Sequence, residues 1–371
     1  MLKKFAIDGY RGFKSLSLDG LSRVNVFVGK NNSGKSSLLE AFYLYGEKFS
    51  QDIFRRIAAK RGEMITDIGT DEFLSEISHF FHGHSFNVGS RFQMSSDAGC
   101  FEVVILPQGR SERYPFFVDR DGRLIRDRDG AALWLYVKKQ QARANSWRTS
   151  SRTPLLPGGI LPNRSPRFLH EMRTENIKDT CFISPDLMDF QMLVKMWNRI
   201  ISVGNESDVI DALKILSPSV TSVQFLLTEL SNYRYAPKSS AGILVGADNS
   251  PGRIPLGSLG DGMKRLLAIA MALQCAEGRC LYVDEIDVGF HYSVMSDIWR
   301  LVLEVATKKD IQVFVSTHSL DCLRGLANVC STIKDDRLVS LYALHGHEEA
   351  VSYYFRDEIV RAVQNEVEVR S

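Results

Sequence analysis

The chain has 371 residues, of which 44% are hydrophobic and 24% are charged, and its net charge is +2. This composition is typical of a globular protein with enough apolar material for a core, and the small net charge gives no overall attraction to nucleic acid or membrane. The six cysteines form no CxxC pair, which argues for reduced thiols and against a structural zinc site. With no apolar run long enough to span a bilayer and no signal-peptide core, we expect a cytoplasmic protein.

The N-terminal region is predicted to begin with a strand at residues 3–7 and to continue, after an apolar run at 24–28, into a glycine-rich loop. The loop sequence GKNNSGKS has the GxxxxGK[ST] spacing of a phosphate-binding loop. Gly29 and Gly34 let the backbone aim successive N–H groups at one anion, and the helix that follows adds the positive end of its dipole. Lys35 supplies a charge at the β- and γ-phosphates, and Ser36 a hydroxyl for Mg²⁺.

The stretch between the helix predicted at 36–45 and residue 180 shows weaker patterns. Short strands predicted at 101–106 and 114–118 suggest an antiparallel flank to the main sheet. Residues 131–170 contain no acidic side chain, several basic ones and four prolines, which indicates an extended or mobile segment. Its basic residues are Lys138, Lys139, Arg143, Arg148, Arg152, Arg164 and Arg167. The segment is either a basic arm for nucleic acid or an acidic partner, or an ordinary solvated loop.

A helical pattern covers residues 185–216, and strand-like runs follow at 220–227 and 243–245. They lead to the sequence SLGDG, with Ser258, Gly260 and Gly262, directly before a strongly helical run. Small residues before a helix form a second candidate anion site.

Two strands in the C-terminal part end in polar residues. The run at 280–283 ends in the adjacent carboxylates Asp284 and Glu285. Asp284 is predicted to hold Mg²⁺, and Glu285 to polarise the water that attacks the γ-phosphorus. The run at 312–316 ends in Ser-Thr-His, where His318 can donate a hydrogen bond to the γ-phosphate. Two closing strands, at 338–344 and 351–355, and a final helix at 358–364 are predicted after it.

The order of these motifs resembles that of the ABC-type ATPases. The opening sequence IDGYRGF resembles the N-terminal strand and turn of the branch that includes RecF, the SMC proteins and the overcoming-lysogenization-defect (OLD) nucleases. The sequences SLGDGMKRLL, LYVDEIDVGFH and VFVSTHSLDCL resemble most the small OLD-like ATPases of bacterial genomes. The resemblance covers about the first 45 residues and residues 180 to 371. It implies an α/β fold with a central mixed or parallel sheet, an antiparallel β flank and a helical subdomain that carries the signature motif.

The resemblance also implies roles for individual residues. The nucleotide would be bound by Arg11, Gly29, Asn31, Asn32, Ser33, Gly34, Lys35, Ser36 and Ser37. Ser36 and Asp284 would hold the metal, Glu285 would be the catalytic base, and His318 the switch residue. Ser258, Gly260 and Gly262 would act on nucleotide bound to a second protomer, so each site would be complete only in an ATP-linked homodimer or higher oligomer.

The chain departs from the family pattern at two points. The usual signature serine is replaced by Gly260, and Ser258 stands two residues earlier. We recognise no glutamine loop, because Gln191 and Gln224 have no distinguishing context. The motifs divide the chain into four segments: 1–49, the first part of the ATPase core; 50–179, an insertion with the β flank and basic segment; 180–257, the subdomain that leads to the signature; and 258–371, the second part of the core.

The predicted activity is Mg²⁺-dependent ATP hydrolysis, and the favoured setting is a sensor or regulatory ATPase in anti-phage defence. The chain ends about 50 residues after His318, which leaves no room for a TOPRIM nuclease domain, so we expect a separately encoded effector such as a nuclease or toxin. A RecF-like repair ATPase that binds DNA, through the basic residues between 138 and 167, is the alternative. A transporter subunit is disfavoured by the Arg-Gly-Phe turn and the long insertion, and a binding module without turnover is disfavoured by Glu285.

Overall fold

The computed structural model describes residues 1–66, 73–107, 133–142, 144, 146–155, 159–161, 181–186, 190–226, 242–248, 250, 252–346 and 351–364. The helices in this part of the chain are α1 (Lys35–Gly46), α2 (Gln51–Arg61), α3 (Phe190–Val203), α4 (Glu206–Leu213), α5 (Asp261–Cys275), α6 (Met295–Lys308), α7 (Leu320–Cys330) and α8 (Arg356–Gln364). The strands are β1 (Lys4–Tyr10), β2 (Phe13–Asp19), β3 (Val24–Val28), β4 (Met64–Thr66), β5 (Phe73–Glu76), β6 (Arg91–Ser96), β7 (Gly99–Pro107), β8 (Leu133–Gln141), β9 (Arg148–Pro154), β10 (Ile160–Leu161), β11 (Cys181–Ile183), β12 (Val220–Phe225), β13 (Ile243–Ala247), β14 (Ile254–Pro255), β15 (Cys280–Val283), β16 (Gln312–Ser316), β17 (Val339–Leu344) and β18 (Val351–Phe355).

The central sheet has the strand order β11-β15-β16-β3-β17-β18. All neighbours are parallel except β18, which pairs antiparallel with β17. Every residue of β3, β16 and β17 is buried, as expected for parallel strands covered on both faces. Because the carboxyl ends of parallel strands meet at one edge, the loops after β3, β15 and β16 leave the sheet side by side. The α/β class and the mixed central sheet predicted from the sequence are confirmed.

The two faces of this sheet belong to two hydrophobic clusters. Along β3, Val24, Val26 and Val28 pack into the cluster that contains the apolar sides of α5, α6 and α7. Phe27 points to the other face, in the cluster with α1 and the antiparallel sheet. The alternation follows from the two-residue period of a strand. On the second face the ring of Phe42 stacks between Phe5 and Phe314, at centroid distances of 4.1 and 4.3 Å, and so holds α1 against both sheets.

The antiparallel flank has the order β2-β1-β6-β7-β8-β9, so the first strands of the chain share a sheet with strands of the insertion. The strand predicted at 101–106 is β7, whereas the one predicted at 114–118 lies outside the described residues. The interpretation of residues 131–170 as a basic loop is corrected in part. Within it, β8 and β9 pair with each other in register from Trp134↔Pro154 to Lys139↔Arg148.

The basic residues of this region are only partly described. The ammonium of Lys138 lies 3.2 Å from a carboxylate oxygen of Glu102 on the neighbouring strand, and that of Lys139 lies 5.4 Å from the ring centroid of Phe101. Arg143, Arg164 and Arg167 lie outside the described residues. The described lysines thus interact with their own sheet, and a nucleic-acid role for the segment stays a prediction.

The helical pattern at 185–216 corresponds to α3 and α4, which are separated at Gly204, where φ is +74°. The strands predicted after it are β12 and β13, which form a small antiparallel sheet with β14. Trp197 of α3 stacks on Phe225 of β12 at 5.3 Å and is buried in the cluster that includes α5. This subdomain therefore packs against the helix that follows the signature. Among the described residues, no helix has both the length and the apolar character needed to cross a membrane.

Candidate active site

The predicted phosphate loop connects the carboxyl end of β3 to the first turn of α1. Its backbone has positive φ at Gly29 (149°), Asn32 (63°) and Gly34 (94°). A Cβ on Gly29 would lie 2.6 Å from the carbonyl oxygen of Leu344, and one on Gly34 would lie 2.6 Å from the ring of Phe13. Both glycines are therefore required by conformation and by space, which the spacing of the motif alone does not show.

Replacing Gly29 with alanine is expected to destabilise the protein, because the new methyl group would strike a backbone carbonyl that cannot move without the sheet. Strain at positive φ adds to the clash, and together they should lower the free energy of unfolding by about 3 kcal/mol. Denaturant titration would measure it. The matched control is Gly278→Ala, which has φ of +69° with no described atom within 4 Å of its Cβ and should cost about 1 kcal/mol. Equal losses in the two variants would contradict the crowding at Gly29.

Lys35 is buried at the start of α1 and its ammonium is held inside the loop. Its Nζ donates to the carbonyl oxygens of Gly29, at 2.8 Å, and Lys30, at 2.7 Å. Burial lowers the pKa of Lys35, and the nearby carboxylates of Glu285, Asp284 and Asp287 oppose that shift. The ammonium is thus bonded to neutral acceptors. A hydrogen bond from it to an anionic phosphate oxygen would be stronger than either of these.

Asp284 follows β15 and is fixed by the neighbouring strand. The hydroxyl of Ser316, the last residue of β16, donates to Oδ1 of Asp284 and accepts the N–H of Glu285 at 2.8 Å. The carboxylate of Asp284 is buried. Ser36, at the start of α1, is half-buried. Carboxylate and hydroxyl oxygens suit Mg²⁺, which completes its coordination with water and substrate phosphates. Within the described residues, no group of three or more His, Cys, Asp or Glu side chains could hold a metal ion.

Glu285 and His318 lie together at this edge of the sheet. Nδ1 of His318 lies 3.7 Å from Oε1 of Glu285, and the side chains are 45% and 32% exposed. The residue before His318, Thr317, donates its N–H to the carbonyl of Phe27 at 3.0 Å, and its hydroxyl donates to Asp287. The end of β16 is thereby tied both to β3 and to the turn after β15. The structure thus brings Lys35, Asp284, Glu285 and His318 to one place.

The signature segment lies before α5, in a short 3₁₀ turn at Leu256–Leu259 followed by Gly260 with φ of +92°. Ser258 and Gly260 are exposed, while Gly262 is half-buried. A Cβ on Gly262 would lie 2.5 Å from the carbonyl oxygen of Gly289. The lack of a side chain at 262 is therefore explained by packing within the chain, whereas Ser258 and Gly260 are available to a second molecule.

Arg11 is engaged in a buried network of ion pairs. Its guanidinium lies 3.1 Å from Glu40 and 2.6 Å from Glu63. Glu40 also pairs with Arg61 at 2.7 Å, and Arg61 reaches the hydroxyl of Ser37 at 3.2 Å. Burial raises the pKa of Glu40, and both arginines oppose the shift. In this conformation Arg11 supports α1, and a nucleotide contact by Arg11, which stays a prediction, would require these pairs to break.

The remaining predicted residues are the other members of the phosphate loop and the two glutamines. Asn31 and Asn32 are exposed at the tip of the phosphate loop, and Ser33 is buried beneath it, its Oγ without a hydrogen-bond partner among the described residues. Gln191 and Gln224 lie on α3 and β12, in the subdomain rather than on the central sheet.

Sequence reasoning missed two residues that shape the site. Ser316 was seen only as part of the strand end, although it holds both Asp284 and Glu285. Arg265 was seen only as the end of the signature stretch, directly before a helical run, although its guanidinium donates to the carbonyl oxygens of Asp284, at 2.6 Å, and Glu285, at 3.1 Å. The available signal was a charge next to the apolar run of α5: an arginine that is buried there needs acceptors.

Comparisons with known proteins identify a family and several similar proteins. A family model described as "AAA domain, putative AbiEii toxin, Type IV TA system" matches residues 24–323. An "ATP/GTP phosphatase" of Helicobacter pylori is 21% identical over 391 aligned positions, which cover 96% of this chain and 99% of that protein. The uncharacterized protein MJECL10 of Methanocaldococcus jannaschii is 42% identical over 45 residues, 12% of this chain and 20% of that protein.

Solved structures of SMC head domains align over nearly the whole chain. The head domain from Thermotoga maritima is 13% identical with a TM-score of 0.39, and the alignment covers 95% of this chain and 98% of that one. The Smc head domain of Pyrococcus furiosus, bound to the C-terminal domain of ScpA, is 11% identical with a TM-score of 0.47, and covers 98% of this chain and 99% of that one.

Proposed function

Because this chain belongs to the family "AAA domain, putative AbiEii toxin, Type IV TA system" and is a P-loop ATPase, we propose that it hydrolyses ATP as a nucleotide-linked dimer that controls a separately encoded effector. The observation that carries the proposal is the meeting of Lys35, Asp284, Glu285 and His318 at the carboxyl edge of β3, β15 and β16. These residues come from three distant segments, and a shared phosphate-handling role accounts for their types as well as their positions.

Each residue in this cluster has chemistry suited to phosphoryl transfer. Lys35 exchanges its bonds to the loop carbonyls for bonds to the β- and γ-phosphates, at little cost in reorganisation because it is already held in place. Glu285 accepts a proton from the attacking water. His318 donates to the γ-phosphate and, through its contact with Glu285, responds to the phosphate's presence. Ser36 and Asp284 would hold Mg²⁺, which when bound neutralises charge on the phosphate oxygens.

Dimer formation is proposed from the position of the signature. Ser258 and Gly260 are exposed ahead of the N-terminus of α5, where an anion is favoured. In a pair of molecules arranged with two-fold symmetry, the signature of one would cover the nucleotide of the other. ATP would then hold the two protomers together, and hydrolysis would release them. The H. pylori relative named as an ATP/GTP phosphatase supports nucleotide hydrolysis and makes GTP a second substrate to test.

The effector is proposed from the family description, which names a toxin–antitoxin system. That description supports a defence setting, and in our proposal the ATPase restrains or releases a separate toxin or nuclease. Purification together with the product of the neighbouring gene would test this part: a complex whose stability changes on addition of ATP supports it, and two proteins that never associate contradict it.

The ATPase dimer itself is tested by phosphate release and sedimentation. The purified full chain should release phosphate from ATP in the presence of Mg²⁺ and should lose this activity on chelation with EDTA. With a non-hydrolysable ATP analogue its sedimentation should shift from monomer to dimer, because the analogue keeps the γ-phosphate that links the phosphate loop of one protomer to the signature of the other. The nucleotide-linked dimer would be overturned by two results together: a turnover rate per molecule that is the same at all protein concentrations, and no dimer at any of them.

A further inference from the structure

Arg265 joins the helix after the signature to the backbone of the catalytic residues. It lies in the second turn of α5 and is 7% exposed. One terminal nitrogen, Nη2, donates to the carbonyl oxygens of Asp284 at 2.6 Å and Glu285 at 3.1 Å, and the other, Nη1, donates to the carbonyl oxygen of Ser184. A single guanidinium therefore spans the carboxyl ends of β11 and β15.

The backbone that Arg265 holds is a strained one. Glu285 has φ of +51°, in the left-handed region that non-glycine residues rarely adopt. Its N–H donates to Oγ of Ser316 at 2.8 Å, and its carbonyl oxygen accepts from Arg265. Both ends of the residue are thus fixed. Such a conformation costs on the order of 1–3 kcal/mol and persists only where its surroundings impose it, so Ser316 and Arg265 together act as a clamp on Glu285.

The charge of Arg265 is suited to this position. Burial lowers the pKa of Arg265, and the carboxylates of Asp284, Asp287 and Glu285 oppose that shift. Arginine stays protonated under all ordinary conditions and presents its donors in a planar fork. Lysine would keep the charge, but its donors leave from a single atom instead of the two terminal nitrogens that Arg265 uses for Ser184 and Glu285. An arginine-to-lysine change is therefore a selective test of the clamp.

We propose that Arg265 is a positioning residue that holds the main chain of Glu285 in its left-handed conformation and links it to the signature. The inference rests on the proposed function, since it takes Glu285 as the base. Helix α5 begins at Asp261, directly after Gly260. Nucleotide that is bound to a second protomer and contacts the signature would therefore also contact the start of this helix. Arg265 transmits the position of α5 to Glu285 in the same chain. Hydrolysis at the site of one protomer thereby depends on whether nucleotide bound to the other protomer contacts its signature.

The test compares Arg265→Lys with Arg23→Lys in the full chain. Arg23 also donates to backbone carbonyls, those of Ala306 and Ile311, but lies before the amino end of β3, away from the site. We expect Arg265→Lys to lower kcat about a hundredfold, as for a misplaced catalytic group. The ATP dissociation constant and the dimer formed with a non-hydrolysable analogue should stay within about twofold of wild type. Arg23→Lys should change neither kcat nor binding.

The outcomes separate this inference from the proposed function. A wild-type kcat in folded Arg265→Lys overturns the clamp while leaving the ATPase intact, and so does a loss of ATP binding equal to the loss of kcat. If Arg265→Lys does not fold, Ser316→Ala decides, because it removes the other half of the clamp: the same fall in kcat with ATP binding retained supports the inference, and unchanged kcat overturns it. A failure of the proposed function is seen elsewhere, as wild-type hydrolysis in a variant without Lys35.

Discussion

Replacing Lys35 with methionine should lower the affinity for ATP about a hundredfold or more and remove hydrolysis. In the structure the ammonium lies within the phosphate loop and bonds only weak neutral acceptors there, the carbonyls of Gly29 and Lys30. Each bond to a charged phosphate oxygen contributes about 1.5–3 kcal/mol, so losing two of them costs at least about two factors of ten in affinity. Equilibrium binding of a fluorescent ATP analogue measures the change.

The fold should tolerate this substitution. Methionine has a similar length, and burial lowers the pKa of Lys35 against the opposing effect of three nearby carboxylates, so the substitution removes a charge that carries a desolvation cost. The thermal unfolding midpoint should therefore change little. Lys309→Met is the matched control, because Lys309 is also largely covered but lies at the end of α6, 3.9 Å from Glu277. Undiminished affinity in Lys35→Met would reject the assignment of the phosphate loop.

The parts of the fold that follow from local pattern were predictable. Continuous apolar runs identified β3, β15 and β16, because strands buried on both faces carry no polar alternation. Motifs then located their carboxyl ends, and the residues at those ends form the candidate site. The helix predicted at 36–45 corresponds to α1, Lys35–Gly46, since a phosphate loop must be followed by a helix N-terminus.

Other elements depend on contacts that a local pattern does not contain. Helix α2 was missed because it is polar overall, although Ile53, Phe54 and Ile57 form a buried stripe along it. Strands β8 and β9 were interpreted as a loop because charge and proline dominate the composition of the region. The pairing of β8 with β7 over its whole length supplies the hydrogen bonds, and strand propensity is decided by such neighbours more than by intrinsic preference.

The same distinction applies within the site. Lys35, Asp284 and Glu285 act through side chains whose chemistry is readable from the residue type. Arg265 acts on the backbone of residues 19 to 81 positions away. Ser316 acts on the backbone N–H of Glu285 and on the carboxylate of Asp284, 31 and 32 positions away. A carbonyl oxygen has no sequence signature, so its partner cannot be identified until the fold brings the two together. The ion pairs of Arg11 with Glu40 and Glu63 were also hidden, because these side chains are distant in sequence and meet only in the folded chain.

Glu285→Gln should lower ATP hydrolysis at least about a hundredfold while leaving ATP bound, because glutamine cannot accept the proton of the attacking water. The change is nearly isosteric, and Glu285 is held through its main chain by Ser316 and Arg265, so the position of residue 285 should be kept. Single-turnover phosphate release measures the chemical step. Glu277→Gln, an exposed carboxylate outside the site, serves as the control and should hydrolyse ATP at the wild-type rate.

Lys35→Met and Glu285→Gln should have opposite effects on the monomer–dimer equilibrium. Without the Lys35 ammonium, nucleotide binds about a hundredfold or more weakly, so the chain stays monomeric at ATP concentrations that assemble the wild type. Without the Glu285 carboxylate, nucleotide binds but is not consumed, so a dimer with ATP still bound accumulates, and sedimentation with analysis of the bound nucleotide distinguishes the two states. Wild-type turnover in Glu285→Gln would remove Glu285 from the mechanism. A slow variant that stays monomeric with ATP would keep Glu285 as the base but separate hydrolysis from dimer opening, because in a nucleotide-linked dimer the loss of hydrolysis must stabilise the closed state.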